Sequence, residues 1–246
     1  MFGLGTIINA AAILAAGLVG IFAGKLLNEK IQKTVSVAMG LSVAAMSLLG
    51  MAAKAISVDG GRLVAHGTYT IIFSLALGGF FGEFLDIEGR LERFGEWLKD
   101  KSGSQNDGAF VDGFVTASLT VCVGAMAIVG SIMDGIHGDH SVLITKSILD
   151  FVIIFAMSAA KGKGCLFSAI PVFVLQGSVT LLSRCVSPIL TDAALDNLSL
   201  VGSILIFCVG VNLIADSKFR IKVANFLPAL LLAVAAAFIP LEAFHN

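Results

Sequence analysis

Charge is what this chain has least of. Only 13% of its 246 residues are Asp, Glu, Lys or Arg, where soluble domains carry about 25%. With 16 Lys and Arg against 17 Asp and Glu, it also lacks the basic surplus that a nucleic-acid partner requires. Only 4 prolines occur, so most apolar runs are free to continue as helices. The 4 cysteines (Cys122, Cys165, Cys185 and Cys208) show no CxxC spacing. They read as buried small hydrophobes, not as a disulfide or metal framework. No basic segment precedes the first apolar run, which is itself long enough to span, so a cleaved signal peptide is not expected. There is no P-loop, GxSxG or HExxH motif, so neither an enzymatic role nor a cofactor is expected.

What is present is apolar length. The chain is 57% hydrophobic, with a mean hydropathy of +0.96. Eight apolar segments stand out, at residues 3–24, 34–53, 63–82, 113–133, 141–160, 164–183, 198–215 and 223–241. Each approaches the roughly 20 residues that a helix needs to cross a bilayer. The expected fold is an all-α polytopic membrane protein, a single domain of about eight transmembrane helices whose main partner is lipid. The 27 glycines suit close helix packing in that setting. Two glycine rows, Gly17–Gly20–Gly24 and Gly78–Gly79–Gly82, serve either internal packing or a homo-oligomer interface.

One segment differs in kind. In Glu83–Lys101 the apolar residues Phe84, Ile87, Leu91, Phe94 and Leu98 recur at three or four, and the opposite face is charged. Trp97, the only Trp, suits the headgroup level. The segment reads as an amphipathic helix starting at Glu83. It lies on the membrane surface or extends the third span and docks on its own protein, and periodicity alone does not separate these.

Eight spans place twelve of the sixteen basic residues on one face and only Lys54, Arg62, Lys146 and Arg184 on the other. The positive-inside rule makes the richer face cytoplasmic and puts both termini outside. A division just before Asp112 orients the first and fourth spans oppositely, which allows an inverted repeat. The only internal similarity supporting it is Ala15–Gly20 (AAGLVG) against Ala125–Gly130 (AMAIVG).

The chemistry-bearing residues concentrate between Asp112 and Phe151. Asp150 lies near the middle of the fifth span and Lys146 one turn before it on the same face. Charges at that depth are costly and mark ion, proton or substrate sites, or else internal salt bridges. In the fourth span, Thr116 and Thr120 continue a face begun by Asp112, a polar stripe that lines a pathway or back-bonds to its own helix. Gly124 and Gly130 flank AMAIV. They point either to a broken helix whose free backbone groups bind a ligand or to small-residue packing, which composition favours. Asn9, Gln176 and Asn212 are single amides in three other spans, able to line a cavity or to bond neighbouring helices. The turn DGIHGDH carries a His-x-x-His with carboxylates that could hold a metal. A polar turn needs the same residue types, so no metal site is expected.

Several stretches, GTIINAAAILAAGLVG, LGGFFGEFLDIEGRLERFG, GFVTASLTVCVGAMAIVGSIMDGIHGDHSVLITKSILDF and ANFLPALLLA, resemble in order the bacterial membrane proteins of domain-of-unknown-function family 554, the YqgA/YdfK-like proteins. The resemblance covers essentially the whole chain. It implies a bacterial inner (plasma) membrane protein, of a kind often labelled a transport protein. It carries no substrate residue over to this chain. In the family the cysteine is followed by Val-Gly-Pro-Met-Ala; Ala125 stands here in place of the proline, which weakens the expectation of a helix break.

Three functions fit. The first is a secondary transporter of a small solute or ion built on Asp150 and Lys146. The second is an ion channel, and the third a non-transporting scaffold or regulatory partner that uses the amphipathic helix as its contact. A transporter should show a water-accessible cavity reaching Asp150, and a scaffold should show the pair dry and closed.

Overall fold

The computed structural model describes residues 3–215 and 220–239, almost all of them helical. The helices are α1 (Leu4–Lys25), α2 (Glu29–Ala55), α3 (Thr68–Leu85), α4 (Ile87–Lys101), α5 (Phe110–Cys122), α6 (Ala125–His137) and α7 (Ser141–Lys161), followed by α8 (Ala169–Leu181), α9 (Ser183–Val186), α10 (Asp192–Ile214) and α11 (Pro228–Ala236). A 3₁₀ segment, Lys163–Ser168, leads into α8, and another, Val223–Phe226, leads into α11. Among the described residues six helices are long and apolar enough to cross a membrane: α1, α2, α3, α7, Lys163–Leu181 and α10. Helices α5 and α6 pass the same test as a pair, bent by 62°.

Close contacts set the directions of the helices. Helices α1 and α7 run parallel: a Cβ on Gly5 would meet Leu143, and one on Gly24 would come 2.6 Å from the Ala159 carbonyl. Helix α10 runs antiparallel to α2, with Lys54 bonding Asp196 at 2.5 Å near one end and Gly40 packing on Leu213 near the other. Helix α8 runs antiparallel to α1, the Thr6 and Thr180 hydroxyls meeting at 3.5 Å while Gly17 packs on Leu166. Helix α11 runs antiparallel to α3, with Gly78 against Ala229 and Gly82 against Asn225. Both glycine rows are therefore spent on contacts inside the chain. The successive crossings alternate in direction, and the bundle has an N-terminal end and an opposite end that carries α4.

The core is formed by Ile13, Phe110, Phe114, Ile154, Met157 and Leu205 among others, while Leu49, Phe84 and Leu231 are more than 70% exposed. Such an exposed apolar belt is stable only against hydrocarbon.

Several element boundaries differ from the expected ones. The connection after α2 is a β-hairpin, β1 (Ile56–Asp59) pairing antiparallel with β2 (Arg62–Ala65). The third helix therefore begins at Thr68, after Gly67 at φ 72, and not at Leu63. Glu83 belongs to the last turn of α3. The chain then turns at Asp86, which has φ 48, before α4 begins at Ile87. The eighth apolar segment is a short helix, Val223–Ala236; its expected end at residues 240–241 lies outside the described residues, as does Lys218. Between Asp134 and His140, the first four residues are not a solvated turn but the last turn of α6. Asp134 is fully buried, accepting the Gly5 N–H at 3.0 Å and meeting His140 Nδ1 at 2.8 Å. A carboxylate there satisfies one of the free N–H groups that open α1.

Helix α4 docks on its own protein. Gly95 and Leu98 are buried, Gly95 packs on Phe114, and the Phe94 and Phe114 rings meet edge to face at 5.8 Å. Glu88 accepts the Ala224 N–H at 3.0 Å, and its own N–H donates to Asn225 Oδ1 at 2.7 Å. Arg220 reaches Asp112 at 3.0 Å and Glu88 at 3.6 Å, tying α4 to the start of α5.

Candidate functional site

The fourth crossing is broken where the two glycine readings diverged. Helix α5 ends at Cys122, Val123 is extended, and Gly124 takes φ 145 and ψ 149 before α6 starts. That backbone region belongs essentially to glycine, so Gly124 alone makes the break although Ala125 stands where a proline would help it. Gly130, by contrast, is a packing residue: a Cβ there would come 2.8 Å from Leu143 Cδ2.

A break inside a span frees the last carbonyls of the first half-helix. One of them, Val121 O, accepts a hydrogen bond from Lys146 Nζ at 2.9 Å. The cation thus sits at the negative end of the α5 dipole, where a cation is favoured. The same ammonium lies 2.7 Å from each Asp150 oxygen. Asp150 Oδ2 also accepts from Asn9 Nδ2 at 3.0 Å. Asn9, Lys146 and Asp150 are 0%, 8% and 3% exposed, and Cys122 lies within electrostatic reach of the pair. Three crossings, α1, α5 and α7, therefore meet in one polar centre.

Other expected site residues fall elsewhere. Thr120 Oγ1 donates to the Thr116 carbonyl at 2.7 Å, and Thr116 Oγ1 turns toward Asp112, which in turn pairs with Lys161. Their hydroxyl stripe is thus bonded within α5 and not to Asp150. Asn212 holds both the N–H and the C=O of Ile221, at 2.9 and 2.7 Å, and clamps the connection after α10. Gln176 is 1% exposed on α8. Among the described residues neither of its amide atoms finds a partner, nor do Asn9 Oδ1 and Ser118 Oγ. Sequence reasoning missed Val121, because its contribution is a backbone carbonyl that only the break exposes.

Two cavities lie near the opposite end of the bundle. The larger, about 280 Å³, is lined by Gly24, Lys25, Gln32, Asp107, Ser158 and Lys161 among others. Ser158 follows Asp150 by two helical turns on the same face of α7, about 12 Å along the axis. Fully buried Ile154 stands between them. The second cavity, about 250 Å³, is walled by Leu18, Phe22 and Phe167 among others. Neither of these two cavities touches Lys146 or Asp150, and the two side chains are themselves buried.

The fold and this centre define a polytopic α-helical membrane protein with charged residues held at a broken span. The chain belongs to the family described as Protein of unknown function (DUF554), whose model matches residues 4–238. It is similar to the "Uncharacterized membrane protein YdfK" of Bacillus subtilis (strain 168), 28% identical over 237 residues and 96% of each chain. It is also similar to the "Uncharacterized protein YqgA" of Escherichia coli (strain K12), 25% identical over 238 residues and 94% of each chain. No solved structure matches the chain significantly.

Proposed function

We propose that the protein is a secondary transporter of a small solute or ion across the bacterial inner membrane, with the end carrying α4 in the cytoplasm. One observation carries this reading: the Lys146 ammonium is shared between Asp150 and a carbonyl freed by the break in the fourth crossing. A buried ion pair contributes little net stability against an apolar replacement, so its retention at a helix break suits an exchangeable site. A proton or cation that engages Asp150 releases Lys146, which keeps Val121 O as its second partner. The larger cavity, with Ser158 in its wall, supports a route from the cytoplasmic end that is closed at Ile154. A scaffold reading is favoured by the burial of the pair, which then acts as a fixed bridge.

Proteoliposomes with an entrapped pH dye test the two readings. A gradient of LiCl, NaCl or KCl should drive proton movement through the wild type. The flux should vanish in Asp150→Asn and in the double variant Lys146→Gln/Asp150→Asn, which keeps the site uncharged and avoids leaving a lone buried charge. Proton movement through the double variant at the wild-type rate would sink the transport reading. A charge-swapped variant, Lys146→Asp/Asp150→Lys, should fold in either case but carry flux in neither.

A further inference from the structure

We propose that the ligand of the transport site argued above, on which this inference rests, is a single monovalent cation bound between Asn9, Gln176 and Asp150. Asp150 is a carboxylate in an ion pair and accepts only, so the Asn9 atom bonded to it is the amide nitrogen. The other Asn9 terminal atom is then a carbonyl oxygen, and among the described residues it has no partner. Gln176, 1% exposed, also leaves its carbonyl oxygen unbonded among those residues. A buried polar atom without a partner costs about 1–3 kcal/mol, so these atoms ask for an occupant.

The helix register brings them together. The Thr6–Thr180 contact sets α1 against α8. One turn further along α1 and one turn back along α8, on the same faces of these antiparallel helices, stand Asn9 and Gln176. Asn9 in turn bonds Asp150. Two amide carbonyls and a carboxylate oxygen form a hard oxygen donor set, the kind that takes alkali and alkaline-earth cations.

Charge selects between those two groups. Lys146 and Asp150 cancel one another in the closed centre. A monovalent cation that takes the carboxylate adds a single positive charge to this neutral centre, while Lys146 keeps Val121 O as its partner. A divalent cation would add a second surplus charge in the hydrocarbon, at a further cost of about 2.5–3.5 kcal/mol or more.

The test is thermal unfolding of the purified full chain in detergent, at constant ionic strength, with choline chloride replaced by LiCl, NaCl, KCl or MgCl₂. At least one alkali cation should raise Tm saturably, as a native-state ligand must. Gln176→Leu should weaken the apparent affinity about tenfold or more while melting in choline no lower than the wild type, because it removes an unsatisfied amide. Gln176→Met serves if the Leu variant does not fold. The proposal is overturned by the absence of any alkali effect, by stabilisation from magnesium alone, or by an alkali effect that persists in the Gln176 variants. Loss of the binding result with intact flux in vesicles removes this site and leaves transport standing. Binding without flux does the reverse.

Discussion

Asp150 and Glu88 are each 3% exposed, yet the chain satisfies them in opposite ways. Glu88 is held by a backbone N–H of another segment, from Ala224, and returns the contact through its own N–H to Asn225. Those donors are fixed by the fold, and the acid works as a clasp. Asp150 is held by side chains, Lys146 and Asn9, beside amide atoms that remain unpaired among the described residues. Side chains can move away and return, so the second arrangement is suited to exchange and the first to permanence.

The two acids should therefore fail differently. Asp150→Asn leaves the Lys146 ammonium buried without a counter-charge and should cost about 3–5 kcal/mol. Lys146→Gln/Asp150→Asn should recover most of that loss, because both halves of the pair leave together. Glu88→Gln should cost about 1–3 kcal/mol, the range for a disturbed buried hydrogen bond, and Arg220→Gln should not rescue it, since Arg220 also serves Asp112 and Glu92. Equilibrium unfolding in detergent measures all four. Equal losses at the two acids, or rescue at both, would erase the distinction.

A smaller effect tests the break that supplies Val121 O. Gly124→Ala forces a side chain onto φ 145 and should cost about 1–3 kcal/mol. Ala125→Pro should be tolerated or stabilising by up to about 1 kcal/mol, because the first helical position needs no N–H partner and proline restricts the unfolded chain. A destabilising Ala125→Pro would mean that the two half-helices are one continuous helix.

Much of this was legible in the sequence, and what was not has physical causes. Apolar length located the crossings, and the expense of intramembrane charge singled out Lys146 and Asp150. Asn9 stood out as an isolated amide, but its partner did not, since Asn9 and Asp150 are 141 positions apart. Thr116 and Thr120 have the same residue types whether they line a path or back-bond, and only the structure shows the second. Asn212 likewise looks like a cavity amide until its two bonds to Ile221 appear. Asp134 read as a turn residue because its use, capping the start of α1, depends on a helix that begins 130 residues earlier. The β-hairpin escaped notice because its strands are only 4 residues long and exposed at every position where burial is described, giving no alternation to read. The break at Gly124 turned on one backbone angle, and a glycine in a glycine-rich chain does not announce which angle it takes.

The smallest expected effect is the pH response of the Glu88 clasp. Burial pushes its carboxyl above the ordinary range, and the Ala224 N–H and Arg220 draw it back without cancelling the rise. A raised folded-state value means that the folded protein holds this proton more tightly than the unfolded chain. The stabilising contribution is then complete below the ordinary carboxylate value and is lost as pH rises through the raised one. The docking of α4 should accordingly loosen with rising pH in that window. Amide hydrogen exchange across Ile87–Lys101, corrected for the intrinsic rate, should show falling protection there, while the α7 amides around Asp150 hold theirs. Glu88→Gln removes the titrating group and should flatten the α4 response. A response that survives in Glu88→Gln, or that extends equally to α7, would place the sensitive group elsewhere and separate the clasp from the acid that carries it.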